Sequence, residues 1–198
     1  MKNEKRSYTL KIYDQALLHF EVSYDAFNDL VVHILSMDET QIHLFPLTML
    51  LEPNEKGLAT WLKGRTIPKN RAFVENILET AGLTIHDTLG ILDICKRLSV
   101  NDSYWLDDGK NEQTFEDLNL FDNQLDETLA LVAYTGHTTG QRHKAGLSSE
   151  WTLDGQFPKA IRRIDNHLYL FKTGTIRASN SGFEPWSEYF AAQVAECM

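Results

Sequence analysis

Late in the 198-residue chain, two lysines bracket the stretch "KAIRRIDNHLYLFK": Lys159 opens it and Lys172 closes it. Gly155 stands shortly before the first lysine, and Glu188 follows the second. These residue types suit the handling of a phosphate. A glycine lets backbone amides approach the anion closely. An ammonium group neutralises it, and a carboxylate behind a lysine fixes that long side chain, provided the ion pair is well made. The local charge agrees. Residues 141–177 hold seven Lys or Arg against three Asp or Glu, a net of +4, while the remainder holds twelve against twenty-five, a net of −13. A basic patch on an acidic protein suits a small anionic ligand better than a polynucleotide.

The elements that must position these groups are legible from pattern. "KAIRRI" and "HLYLFK" alternate as two strands joined by a tight turn at Asp165-Asn166, so the lysines sit at the open end of a hairpin. The alternation puts Lys172 on the inward face of its strand, just before a second glycine loop. A helix then opens at Pro185, a favoured first position, with Glu188 in its first turn. Plainer readings stand beside this one: Lys172 as an edge-strand lysine that reaches to water, Glu188 as a solvent-facing glutamate, and the basic patch as the solvated face of a hairpin.

Strand lysine, helix glutamate and a loop over the triphosphate are the parts used by protein kinases. Over residues 148–198 the chain resembles the HipA-like serine/threonine kinases, known from bacterial toxin–antitoxin systems and related mobile-element proteins. "TLDGQFPK" is similar to that family's Ser-x-x-Gly loop ending in lysine, "YLFK" to its nucleotide-binding strand lysine, and "EPWSEYFAAQVA" to its Asn-Glu-Tyr helix. One departure is Phe157, where the family usually has glutamine; Gln156 stands one place earlier.

The resemblance implies that Gly155 and Lys159 belong to a nucleotide loop, that Lys172 touches the phosphates, and that Glu188 is its helix partner. Thr152 takes the position of the family's autophosphorylated serine. The implied parent activity is phosphoryl transfer from ATP, with magnesium, to a protein serine or threonine. The family's catalytic-loop and metal-binding aspartates lie further downstream, so no catalytic residue and no metal ligand is assigned here. The chain stops at "AAQVAECM" without a capping glycine, and the expectation is a truncated kinase, inactive alone and weak in nucleotide binding. Its partner would be a missing kinase lobe or an antitoxin-like protein. The alternative, from a different class, is a non-enzymatic interaction or regulatory protein with a degenerate kinase lobe.

Upstream, the pattern predicts an α+β organisation: an acidic N-terminal domain over 1–135, a linker over 136–150, and the kinase-lobe segment over 151–198. Strands are expected at about 7–13 and 17–24, with a third at "QIHLFPL" ended by Pro46. Helices follow in "EKGLATWLKGR", in "IPKNRAFVENILETAGL" between Pro68 and Gly82, and in "IHDTLGILDICKRLSV". "NDSYWLDDG" reads as a short strand and acidic loop, and 125–134 as a helix.

Adjacent short helices invite a helix-turn-helix reading, but the last of them offers only Lys96 and Arg97 to phosphates, and packing helices are the better account. The loop with Asp107, Asp108, Asn111 and Glu112 lacks the glycine and terminal glutamate of a calcium loop. His137 and His143 have no third ligand at metal spacing. Two cysteines imply no disulfide framework, and a reducing cytoplasm is the default compartment. No apolar run reaches the roughly 20 residues of a membrane span, and no secretory signal opens the chain.

Overall fold

Apolar residues alternate along "RSYTLKI" and "QALLHFEVSY", and these become the first two strands of a computed structural model. It describes residues 5–25, 29–138, 140, 143–174 and 182–197. In chain order the elements are β1 (Arg6–Ile12), β2 (Gln15–Tyr24), β3 (Leu30–Met37), a 3-10 turn (Glu39–Leu44), α1 (Leu47–Leu51) and α2 (Glu55–Gly64). Next come α3 (Val74–Thr80), α4 (Thr88–Cys95), β4 (Tyr104–Asp107), α5 (Phe115–Leu118) and α6 (Glu127–Thr135). A short 3-10 turn (Ser149–Trp151), β5 (Lys159–Ile164), β6 (His167–Lys172) and α7 (Glu184–Glu196) complete the α+β fold.

Two compact units are interleaved along the chain. The first comprises Met1–Thr66, His86–Gln124 and Trp151–Leu153; the second comprises Ile67–Ile85, Leu125–Glu150 and Asp154–Met198. Ser148, Ser149 and Glu150, at the end of the stretch read as a linker, are buried in the second unit. Among the described residues no helix is long and apolar enough to cross a membrane.

The first unit is built on an antiparallel sheet in the order β3-β2-β1-β4. The cross-strand pairs Tyr8↔Phe20 and Leu10↔Leu18 turn inward and meet Met49 of α1, Leu58, Trp61 and Leu62 of α2, and Leu89 and Leu92 of α4. The third strand is not "QIHLFPL" but Leu30–Met37. There Val32 pairs with Val22 and turns inward, whereas the Asp38 carboxylate accepts from Thr40 N and winds "ETQIHL" into the 3-10 turn.

Trp105 is wholly buried. Its Nε1 donates to Tyr13 O at 2.6 Å, and Lys11 Nζ stands 5.0 Å from its ring centroid. Lys96 and Arg97, the cations considered for DNA, both adopt left-handed φ, at 44° and 56°. Lys96 pairs with Asp108, and Arg97 is buried with its guanidinium on Arg65 O, so neither presents a free cation to a phosphate. The acidic loop is likewise committed: Lys11 Nζ lies 2.6 Å from Asp107, and Lys110 Nζ lies 3.1 Å from Asp108.

Asp93 of α4 ties helix to sheet. It accepts from Tyr8 Oη at 2.5 Å and from Arg6 at 2.7 Å. Burial pushes the Tyr8 phenol far above its usual range, and the bond to Asp93 adds to the shift. Below the unfolded-state value, near 10, both states keep the proton and the pH changes nothing. Above it the unfolded chain ionises while the fold holds the phenol neutral, so stability falls as pH rises. Thermal melts should show this alkaline loss in the parent and a flatter profile in Tyr8→Phe. Equal slopes in the two proteins would refute the assignment.

Candidate functional site

In the second unit β5 and β6 pair antiparallel, with Lys159↔Lys172 at one end and Ile164↔His167 at the other. Asp165 and Asn166 both take left-handed φ, 48° and 62°, as a two-residue hairpin turn requires. Thr173 N donates to Pro158 O at 3.1 Å and closes the lysine end. The two lysines therefore share one face as direct cross-strand neighbours. Like charges placed so oppose each other unless each is compensated.

Lys172 is compensated. Its Nζ lies 2.6 Å from Glu188 Oε2, in the first turns of α7. The lysine and glutamate side chains are 43% and 54% exposed, so the pair orients the lysine more than it stabilises the fold. Lys172 was expected on an inward face; it lies instead on the outer strand of a two-stranded sheet, where no further strand covers it among the described residues.

The buried lysine is Lys159, at 8% exposure. Its ammonium is directed at Gly155, whose φ of +95° favours glycine and whose missing Cβ leaves room for Nζ. No hydrogen bond or ion pair engages that Nζ among the described residues. Burial lowers the Lys159 pKa below the usual lysine range, and the charges of Arg71 and Lys172 push the same way, while Asp154 and Glu150 oppose them.

What surrounds Lys159 was not read from sequence. Arg71 and Glu150 form an ion pair with side chains 0% and 1% exposed. Arg71 donates to Glu150 O at 2.6 Å and to Lys159 O at 2.9 Å; Glu150 Oε1 accepts from Ile161 N at 3.1 Å. The pair therefore satisfies the outward-facing backbone groups of β5 and ends the sheet there. To deliver Arg71, the chain begins α3 later than expected. Arg71 N bonds to Pro68 O, Ala72 N to Gln156 O, and Phe73 turns left-handed at φ 59° before the helix starts, although Gly82 closes the segment as expected. The one sequence signal was a lone arginine between polar and apolar runs, and nothing linked it to a glutamate 79 residues away.

The remaining candidates lie as follows. Gly155 N donates to Asp154 Oδ1 at 2.7 Å, so the amide that would meet a phosphate is held by a carboxylate. Thr152 belongs to the first unit, where its hydroxyl donates to Leu98 O at 2.6 Å. His143 bonds Asp126 Oδ2 at 2.8 Å, and Asp126 also caps α6 through Leu129 N. Residues 175–181, which include most of the second glycine loop, lie outside the described residues. Among the described residues no three His, Cys, Asp or Glu side chains gather to hold a metal. α7 has no buried residue among those described.

No family model matches this chain, and neither the curated proteins nor the solved structures yield a match.

Proposed function

We propose that the loop, hairpin and helix of the second unit form the phosphate-facing part of an ATP site of the HipA-like protein serine/threonine kinase type, working with a protein that supplies the catalytic lobe. The observation that carries this reading is Lys159: a largely buried side chain whose ammonium is aimed over a glycine and has no counter-charge bonded to it among the described residues. Burial and the charges of Arg71 and Lys172 disfavour its charged form, and a bound phosphate would offset that. Lys172, held by Glu188, adds a second positive charge on the same face.

The nearby carboxylates are committed: Glu150 to Arg71, Glu188 to Lys172, and Asp154 to the Gly155 amide. They do not compose a resident magnesium site, so the metal would arrive with ATP as part of the substrate, and no step is routed through it here.

The test is a magnesium–ATP titration by thermal shift and calorimetry on the parent, Lys159→Met and Lys172→Ala. Without ligand, Lys159→Met should melt higher than the parent, because it relieves a desolvated charge. With ATP, both variants should lose affinity by roughly tenfold or more, since a charge-assisted contact contributes about 1.5–3 kcal/mol. Equal ATP shifts in all three proteins would sink the assignment.

One observation favours a second reading. The Asp154 carboxylate already occupies the loop amide, as an anion built into the chain. A regulatory or interaction protein with a degenerate kinase lobe would look like this. It predicts no ATP shift in the parent and none in Asp154→Ala, whereas a self-blocked nucleotide site would gain affinity in Asp154→Ala.

A further inference from the structure

Along α6, Glu127, Ala130, Leu131 and Tyr134 recur at spacings of three and four, so they share one face of the helix. That face lines a groove of about 520 Å³ against the β5–β6 hairpin, whose wall is Ala160, Arg162 and Phe171. Side chains alternate along a strand, and Ala160 pairs with Phe171 just as Lys159 pairs with Lys172. The groove therefore lies on the hairpin face away from the two lysines, and it is a separate place from the phosphate-facing residues.

One end of the groove is aromatic, with Tyr134 and Phe171 edge to face at 6.4 Å. Ala130 and Ala160 are buried and too small to fill the space between helix and hairpin. A mostly apolar hollow of this volume with a few polar groups is the form of a small-molecule site. Two of its polar groups are charges of opposite sign. Glu127 stands on the helix, about 10 Å along the axis from Tyr134 at ~1.5 Å per residue. Arg162 stands on the strand, about 7 Å along it from Ala160 at ~3.4 Å per residue. Both are exposed. Among the described residues neither has a hydrogen bond or an ion pair, with the other or with any third group.

This pair of charges decides the ligand. A carboxylate alone would meet Arg162 but also face Glu127, and an amine alone would meet Glu127 but also face Arg162. A ligand with both signs on one small head engages both, and an apolar body behind that head covers the alanine floor. We propose that the groove binds a free α-amino acid with a large apolar side chain. The ligand carboxylate accepts from the Arg162 guanidinium, whose planar fork suits it, and the ligand ammonium donates to Glu127. The ligand side chain lies over Ala130 and Ala160, toward Tyr134 and Phe171.

Calorimetric titration with L-phenylalanine and with L-leucine should give dissociation constants in the micromolar to millimolar range, as ligands of so few atoms allow. Phenylpropionate, which lacks the ammonium, and phenethylamine, which lacks the carboxylate, should each bind roughly tenfold more weakly than phenylalanine. Glu127→Gln and Arg162→Gln change exposed side chains and should melt with the parent. Each should weaken phenylalanine binding by about the same factor. The crossed titrations are the decisive ones. Glu127→Gln should bind phenylpropionate no worse than the parent does, and Arg162→Gln should bind phenethylamine no worse, because each variant lacks only the group its ligand cannot use. Failure of phenylalanine and leucine to bind at millimolar concentration would overturn the proposal. So would equal phenylalanine affinity in the parent and both variants, which would mark apolar association without recognition of the head. The magnesium–ATP titration reads the other face of the hairpin, so its outcome and this one are separate.

Discussion

Replacing Glu150 with alanine should destabilise the protein by roughly 3–5 kcal/mol, the usual cost of stranding one member of a buried ion pair. The carboxylate is fully buried and holds Arg71, Ile161 N and, at 3.4 Å, the Ser149 hydroxyl. Its loss leaves a guanidinium in the interior with only carbonyl acceptors, those of Glu150 and Lys159. Urea denaturation gives the magnitude, and hydrogen exchange should show lost protection along β5 and β6. The apolar double replacement Arg71→Met/Glu150→Leu should recover part of the loss, because no charge is then stranded. Recovery stays incomplete because Lys159 O and Ile161 N lose their partners, at about 1–3 kcal/mol for each buried group left unmade. A loss below about 1 kcal/mol in Glu150→Ala would contradict the burial of this pair.

The second large effect belongs to the first unit. Trp105→Ala should cost about 3–5 kcal/mol, combining lost apolar burial with an unfilled cavity. The indole is at 0% exposure, and removing it also frees Tyr13 O from a 2.6 Å hydrogen bond and Lys11 from its aromatic neighbour. Hydrogen exchange should locate the loss in β1 and β4, whose register pairs Lys11 with Trp105. Trp105→Phe should be milder, since it keeps most of the volume and loses the N–H. If alanine and phenylalanine cost the same, packing is not what Trp105 supplies.

The parts read correctly from sequence are those whose cause is local. β5, β6 and their turn follow from period-two alternation and an Asp-Asn pair able to take positive φ. α7 follows from Pro185, and Lys172 meets Glu188, the helix partner that the resemblance implied for it. Where the cause is distant, the reading stopped short. "VVHIL" and "QIHLF" are both short apolar runs; what selects the first as a strand is its cross-strand neighbours, Val22 and Phe20. The inward lysine was assigned to β6 rather than β5, because the partners that bury Lys159 come from residues 71 and 150, outside any local pattern.

The separation between Arg71 and Glu150 also sets a clock on biosynthesis. Arg71 must wait for a glutamate 79 residues later, and for a strand whose first carbonyl is 88 residues later. At about 5–20 residues per second, that wait is roughly 4–16 seconds on the ribosome. Throughout it Arg71 lacks its counter-charge, although the α6 surface that α3 packs against is made before Glu150. Until β5 is made, the nascent chain therefore carries Arg71 without the carboxylate and carbonyl that bury it in the fold.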